Sequence, residues 1–172
     1  MGPELLGQLV DQHAAALVLY ARQWCAAPED VVQEAFLKLV AQRTPPERAV
    51  PWLYRVVRNG AISAVRAAKR RQRHESAAGA RKSAWFTATD GSAVNVETAT
   101  TALEGLPLEQ REIIIAHLWG GLTFEQIAEM TGTSSSTAHR WYGEGLSALR
   151  ERLGASCRDA CATPSKRPAR HC

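Results

Sequence analysis

Apolar residues recur at Leu6, Leu9, Val10, Leu17, Ala21 and Trp24, and that spacing predicts a helix with one inward stripe. Ala26-Ala27-Pro28 then breaks the chain. Pro28-Glu29-Asp30 has the form of a first helical turn, because proline lacks only a donor that would be orphaned there and the two acids suit the positive end of the dipole. The helix that follows turns Val32, Ala35, Phe36 and Leu39 inward and leaves Asp30, Gln33, Glu34 and Lys38 outside. Thr44-Pro45-Pro46 separates it from a third helix carrying Trp52, Leu53, Val56 and Val57. Asn59-Gly60 predicts a turn or weak point, after which Ile62, Val65 and Ala68 seat a fourth helix. No segment alternates with period two for long enough to predict a strand.

From 76 to 97 the periodicity disappears into Ser, Ala, Gly and Thr, with Trp85 and Phe86 isolated among them. Such a stretch reads as a flexible linker, able to span roughly 70 Å at ~3.3 Å per residue when extended. Helical spacing then resumes at Val96, Ala99, Ala102, Leu103 and Leu106. Pro107 starts another helix whose apolar positions are Ile113, Ile114, Ala116, Leu118 and Trp119, ended by Gly120-Gly121. Thr123-Phe124-Glu125-Gln126 predicts a capping box, the threonine capping and the glutamine reaching back. The helix it opens buries Ile127, Ala128 and Met130 and stops at Gly132. Ser134 is placed to cap the last helix, with Ala138, Tyr142, Leu146, Leu149 and Leu153 inward. Two helices about a short Gly-containing turn, the second longer, have the form of a helix-turn-helix.

Composition narrows the class. The 172 residues are 45% hydrophobic and 22% charged, ordinary globular usage and enough for one middling domain or two small ones. No apolar run approaches a membrane span, and Glu4, Asp11 and His13 interrupt anything resembling a secretory signal. Four cysteines are too few for a disulfide scaffold, which makes a reducing cytoplasm the expected compartment.

The net charge of +4 conceals a segregation. Residues 1–54 hold six acids against four bases, while 55–73 hold seven bases and no acid. Residues 99–154 carry seven glutamates against four arginines, and the tail is basic again. A concentrated basic segment beside neutral or acidic flanks fits a polyanion-binding face joined to protein-binding faces. A solvated helix end is the plainer alternative.

Four motifs in register carry a family resemblance. Pro28-Glu29-Asp30-Val31-Val32-Gln33-Glu34-Ala35-Phe36 resembles the polymerase-docking helix of extracytoplasmic-function (ECF) sigma factors. Trp52-Leu53, Val56, Arg58-Asn59, Ile62, Arg66 and Arg70-Arg71 resemble their promoter-melting and minus-ten segment. Leu106-Pro107 with Arg111-Glu112, and Gly121-Leu122-Thr123 with Gln126-Ile127-Ala128, resemble the minus-thirty-five domain. Ser136-Thr137-Ala138 and Leu149-Arg150 close that domain. Ser63 stands where the family often has Asp, and Trp141 and Glu144 where Arg is common. Gly143 and Gly145 lie within the recognition helix, each costing ~1 kcal/mol relative to Ala. Close helix packing would explain Gly145; the sequence offers no account of Gly143.

The resemblance implies an all-α protein of two small helical domains joined by a flexible linker, the second containing the helix-turn-helix. The expected boundaries are 1–75 for a region-2-like domain, 76–97 for the linker, 98–154 for a region-4-like domain and 155–172 for a basic, disordered tail. The implied partners are RNA polymerase core, through the clamp helices of its largest subunit and the flap of its second-largest, and promoter DNA. An anti-sigma factor is a further partner class the family leaves open. Asp30, Gln33, Glu34 and Lys38 would meet polymerase.

The minus-ten face would comprise Tyr54, Arg55, Arg58, Asn59, Ser63, Arg66, Lys69, Arg70 and Arg71. Cations there serve phosphates, and Asn59 offers a donor and an acceptor for a flipped base. Tyr54 reads equally as a packing tyrosine, and Trp52 as core. Ser135, Ser136, Thr137, His139 and Arg140 would face the minus-thirty-five groove, Arg140 suiting guanine edges and Thr137 buttressing the helix start.

Cys157, Cys161, His171 and Cys172 are soft donors in the tail, and some ECF sigma factors carry metal-sensing cysteine-rich tails. Their spacing is not a standard zinc pattern, so neither metal nor cofactor is expected; Cys25 reads as core. No phosphate-binding glycine loop, His-Glu-x-x-His or nucleophile elbow occurs, so an enzyme is not expected. The competing reading is a helix-turn-helix regulator that never joins polymerase.

Overall fold

The computed structural model describes residues 2–74 and 96–161, with side chains at 2–71, 99 and 101–154. These residues form helices and no strand. The first group is α1 (Pro3–Ala21), α2 (Pro28–Val40) and α3 (Ala49–His74); the second is α4 (Val96–Glu104), α5 (Leu108–Leu118), α6 (Phe124–Thr131) and α7 (Ser135–Cys161).

Local chemistry sets most of the helix ends. Pro3 and Pro28 occupy the first turns of α1 and α2, and Glu29 and Asp30 follow Pro28. Arg22, just past α1, grips Glu29 at 2.9 Å and ties the two helices together. That hydrogen bond holds the Glu29 carboxyl below its ordinary range. Val32, Ala35, Phe36 and Leu39 are buried as their spacing requires, against Leu17, Tyr20, Leu53 and Val57 of the neighbouring helices.

The expected turn at Asn59-Gly60 does not form, and α3 runs unbroken through it. Gly60 serves packing instead. A Cβ there would lie 3.0 Å from Val31 Cγ1, so the glycine lets α2 approach α3 closely. Helical spacing continues on both sides, and the neighbouring helices outweigh the propensity cost of one glycine.

In the second group Thr123 Oγ1 accepts from the Gln126 amide at 3.3 Å, and Gln126 Oε1 accepts from the Thr123 amide at 2.9 Å. The expected capping box is therefore complete. Gly132 ends α6 with φ 75°, and Ser134 Oγ accepts from the Thr137 amide at 3.1 Å to open α7. His117 Nδ1 lies 2.7 Å from the Leu122 carbonyl, and its ring stacks on Phe124 at 4.5 Å, fixing the loop that enters α6.

Three helix ends bear on the expected boundaries. Leu118 and Trp119, the last apolar positions of the expected helix, are 53% and 47% exposed, because α5 ends there and the chain swings out toward Gly121 at φ 64°. Helix α4 begins at Val96, where helical spacing was expected to resume. Helix α7 continues past 154 to Cys161. Cys157 and Cys161 thus lie on helical backbone, whereas His171, Cys172 and the bulk of the expected linker lie outside the described residues.

The two groups are packed together through α1 with α5 and α3 with α6.

Candidate nucleic-acid interface and the seam that covers it

Helix α3 carries the expected cations on one long element. Arg66, Lys69, Arg70 and Arg71 are exposed, and no ion pair among the described residues engages them. Asn59 and Ser63 are exposed as well. Asn59 stands in mid-helix rather than at a turn, so its amide projects from a rigid rod.

One turn earlier the surroundings change. Tyr54 is fully buried, which corrects its assignment to the open face in this arrangement and matches the packing alternative. Its ring meets that of Tyr20 edge-on at 4.9 Å. It also lies against the backbone of Gly120, where a Cβ would come within 2.7 Å of the Tyr54 hydroxyl. That hydroxyl has no hydrogen-bond partner among the described residues, and burial pushes its pKa well up.

Arg55 and Arg58 are drawn into the second helix group. Arg58 Nε lies 2.6 Å from Glu112 Oε1, and the Tyr20 hydroxyl donates to the same oxygen at 2.6 Å. Glu112 is a buried charged residue of α5, only 4% exposed. Burial opposes the Arg58 charge, but the hydrogen bond and charge of Glu112 outweigh it and raise the guanidinium above its ordinary value. Burial, and then the Glu112 charge, likewise holds the Tyr20 phenol neutral. Removing one member of such a buried pair typically costs ~3–5 kcal/mol, because the other charge is left stranded. Arg55 Nη2 pairs with Glu129 Oε1 of α6 at 3.0 Å on the surface, an exposed pair worth about 0–1 kcal/mol.

Glu112, Glu129 and Tyr20 were not singled out by the sequence. Glu112 stood out only as part of the Arg111-Glu112 pair, with no indication of the cation it would meet.

The start of α7 is arranged for a polar surface. Ser136, His139 and Arg140 are exposed, whereas Ser135 and Thr137 are half-buried. Thr137 hydrogen-bonds Ser134 at 2.8 Å through its hydroxyl, the buttressing role expected of it. Ser135 donates to Glu125 at 3.2 Å. The His139 ring meets Phe124 edge-on at 5.1 Å, and Arg140 sits 4.0 Å from Glu144. Gly145 is buried; a Cβ there would fall 2.7 Å from Ile114 Cδ1, while one at Gly143 would meet nothing within 4 Å.

On the first group Asp30, Gln33, Glu34 and Lys38 share the exposed side of α2, with Lys38 and Glu34 paired at 2.9 Å. Leu37 and Val40 stand exposed beside them at 62% and 54%, edging an apolar groove between α1 and α2 that Val10, Ala14 and Phe36 also line. Acids beside exposed apolar side chains suit a protein partner better than a nucleic acid. No group of metal-ligating side chains occurs among the described residues, and none of their helices is long and apolar enough to cross a membrane.

Comparison with known proteins adds to this geometry. The family described as Sigma-70 region 2 matches residues 9–71, and Sigma-70, region 4, matches residues 97–149. The chain is 32% identical over 139 residues to the RNA polymerase sigma factor CarQ of Myxococcus xanthus, covering 75% of this chain and 76% of that protein. It is also 32% identical over 151 residues to a probable RNA polymerase sigma factor, RfaY, of Xanthomonas campestris pv. campestris, covering 80% of this chain but 37% of that protein. Its fold is similar to that of the sigma factor RpoE from Bartonella quintana, crystallised with the anti-sigma factor NepR. That likeness has TM-score 0.71 and 23% identity, and covers 89% of this chain and 98% of the other. CnrH, in complex with the cytosolic domain of CnrY, is similar at TM-score 0.57 and 21% identity, with 90% of each chain covered.

Proposed function

The chain belongs to the ECF-type sigma factors of transcription initiation, and from that premise we propose that it joins RNA polymerase core, opens the minus-ten element and reads the minus-thirty-five element. The observation that carries this reading is the presence on one chain of an acidic and apolar face on α2, a basic α3 and a capped helix-turn-helix. A regulator that never joins polymerase would have no use for the first two.

Each face takes a distinct role. Asp30, Gln33, Glu34 and Lys38 dock on the clamp helices of the largest subunit. The second helix group, spanning the proposed region-4-like domain 98–154, meets the flap of the second-largest subunit. Arg66, Lys69, Arg70 and Arg71 hold phosphates, and Asn59 hydrogen-bonds a base displaced from the stack. Ser136, His139 and Arg140 enter the major groove at the helix N-terminus, where amides and the dipole favour phosphate and a guanidinium suits guanine. The sigma factor RpoE, of similar fold, is held by the anti-sigma factor NepR, and CnrH by the cytosolic domain of CnrY, which favours a protein inhibitor as a further partner. The cytoplasm, where core and promoter lie, is the compartment this role requires.

The test is core-dependent transcription from a panel of promoters, with permanganate footprinting of opened thymines. The purified chain should be silent on duplex DNA alone and give promoter-specific starts with core. Asn59→Ala should spare closed-complex affinity and reduce opening, whereas Arg140→Ala should weaken the closed complex by ~1–3 kcal/mol. Tight, selective duplex binding without core, combined with no stimulation of initiation, would replace this reading with the regulator.

A further inference from the structure

Helix α7 keeps a glycine where nothing inside the chain asks for one. Gly60, Gly120 and Gly145 stand where a Cβ would crowd an atom of the fold, at 3.0, 2.5 and 2.7 Å, and Gly121 and Gly132 have positive φ. Gly143 has neither reason. An added Cβ would meet nothing within 4 Å, and the residue sits in the middle of a 27-residue helix, where glycine is penalised against alanine.

Its place on the helix is specific. At 100° per residue, Ser136 and Ser147 fall about 20° and 40° from Gly143 around the axis, and His139 and Arg140 lie about 40° and 60° to either side. All five are exposed. Glu144 beside it is drawn toward α5 by Gln110, whose amide donates to it at 3.3 Å. The centre of the face that carries the proposed minus-thirty-five contacts is therefore bare backbone.

We propose that Gly143 is the point of closest approach between α7 and the base edges of the minus-thirty-five element, and that it determines specificity by setting how deep Arg140 reaches. The inference rests on the minus-thirty-five reading of α7. A helix with its side chains is about 10–12 Å across and the major groove about 12 Å wide, so a side chain at the centre of the inward face acts as a spacer. Glycine removes the spacer, as it does wherever backbone must come close to a ligand. Arg140, one turn earlier and off the centre line, then approaches a guanine edge at hydrogen-bonding distance instead of stopping at the groove mouth. The helix penalty at Gly143 is borne by the free chain and offset only in the complex.

The experiment assembles holoenzyme from core and the full chain. Closed-complex affinity is measured on a promoter duplex that the wild type uses, and on the same duplex with its minus-thirty-five element scrambled. The variants are Gly143→Ala, Gly143→Leu and, as a control for added helix stability, Gly7→Ala. Gly7 is likewise open, with nothing within 4 Å of an added Cβ, and α1 carries none of the proposed DNA contacts. Gly143→Ala should stabilise the free chain yet bind the intact duplex about five-fold or more weakly, with a larger loss for Gly143→Leu. Neither should change binding to the scrambled duplex, and Gly7→Ala should bind both as the wild type does. Arg140→Ala should cost less in the Gly143→Leu background than alone, because the guanidinium no longer reaches its base.

Gly143→Ala decides the matter if the bulkier variant fails to fold. Wild-type affinity in the Gly143 variants, or equal losses on the two duplexes, would overturn the close approach. An equal loss from Gly7→Ala would trace the effect to helix stability and overturn it too. Additive losses from Gly143→Leu and Arg140→Ala would overturn the action through Arg140. A wild-type holoenzyme that does not distinguish the two duplexes strikes the minus-thirty-five reading itself.

Discussion

The two glycines of the recognition helix provide a sharp physical contrast. Both carry the same intrinsic penalty, ~1 kcal/mol relative to alanine inside a helix, but their surroundings differ. At Gly143 an added Cβ meets nothing within 4 Å, so Gly143→Ala should recover the whole penalty. At Gly145 the added Cβ would sit 2.7 Å from Ile114 Cδ1 and 3.2 Å from Gln110 Cβ. Ile114 is itself fully buried and has little room to yield, and overpacking of this kind costs about 1–3 kcal/mol. The net expectation is stabilisation by ~1 kcal/mol for Gly143→Ala, and between no change and a loss of about 2 kcal/mol for Gly145→Ala. Urea denaturation followed by far-ultraviolet circular dichroism reads both, the midpoint moving in opposite directions at constant slope. Equal stabilisation by the two substitutions would refute the packing account of Gly145. A neutral or destabilising Gly143→Ala would refute the claim that this position faces open space.

Two further outcomes follow from charge and burial. Replacing Arg66, Lys69, Arg70 and Arg71 with alanine should flatten the salt dependence of promoter-complex binding by ~0.9 log units for each phosphate the protein no longer neutralises; an unchanged slope would reduce the run to a solvated face. Burial raises the pKa of Tyr20 and Tyr54 above the ordinary 10.0, so their contribution is complete below about pH 10 and is lost as pH rises beyond it, at about 1.4 kcal/mol per unit for each tyrosine kept neutral. Thermal melts should decline above about pH 10, with tyrosinate absorbance from these two rings appearing only as helicity is lost. Their ionisation at the ordinary tyrosine pKa with the helices intact would count against the buried placement.

Helix identities, the inward faces of α1 and α2, and both caps of the helix-turn-helix were legible in sequence because each depends on neighbours within a turn or two. Thr123 needs only Gln126, and Ser134 needs only Thr137. What was not legible depends on residues far apart in the chain. Asn59-Gly60 has the local form of a break, yet Gly60 answers to Val31 on another helix. Leu118 and Trp119 continue an apolar pattern beyond the point where α5 has a surface to cover. The seam is the extreme case: Tyr20 and Arg58 reach Glu112 across separations of 92 and 54 residues. A glutamate beside an arginine carries no mark of a distant guanidinium, so charge segregation predicted a polyanion face without indicating that the chain covers part of it.

Covered and open cations divide along α3. Arg55 and Arg58 are engaged by Glu129 and Glu112, while Arg66, Lys69, Arg70 and Arg71 are exposed, as are Asp30, Gln33, Glu34 and Lys38 on α2. A polyanion can therefore reach the distal cations of α3 in this arrangement, whereas one that needs Arg55 and Arg58 must displace Glu129 and Glu112. The two displacements differ in cost: parting the buried Glu112 from Arg58 leaves a stranded charge, whereas the exposed Glu129 gives up an ion pair worth about 0–1 kcal/mol.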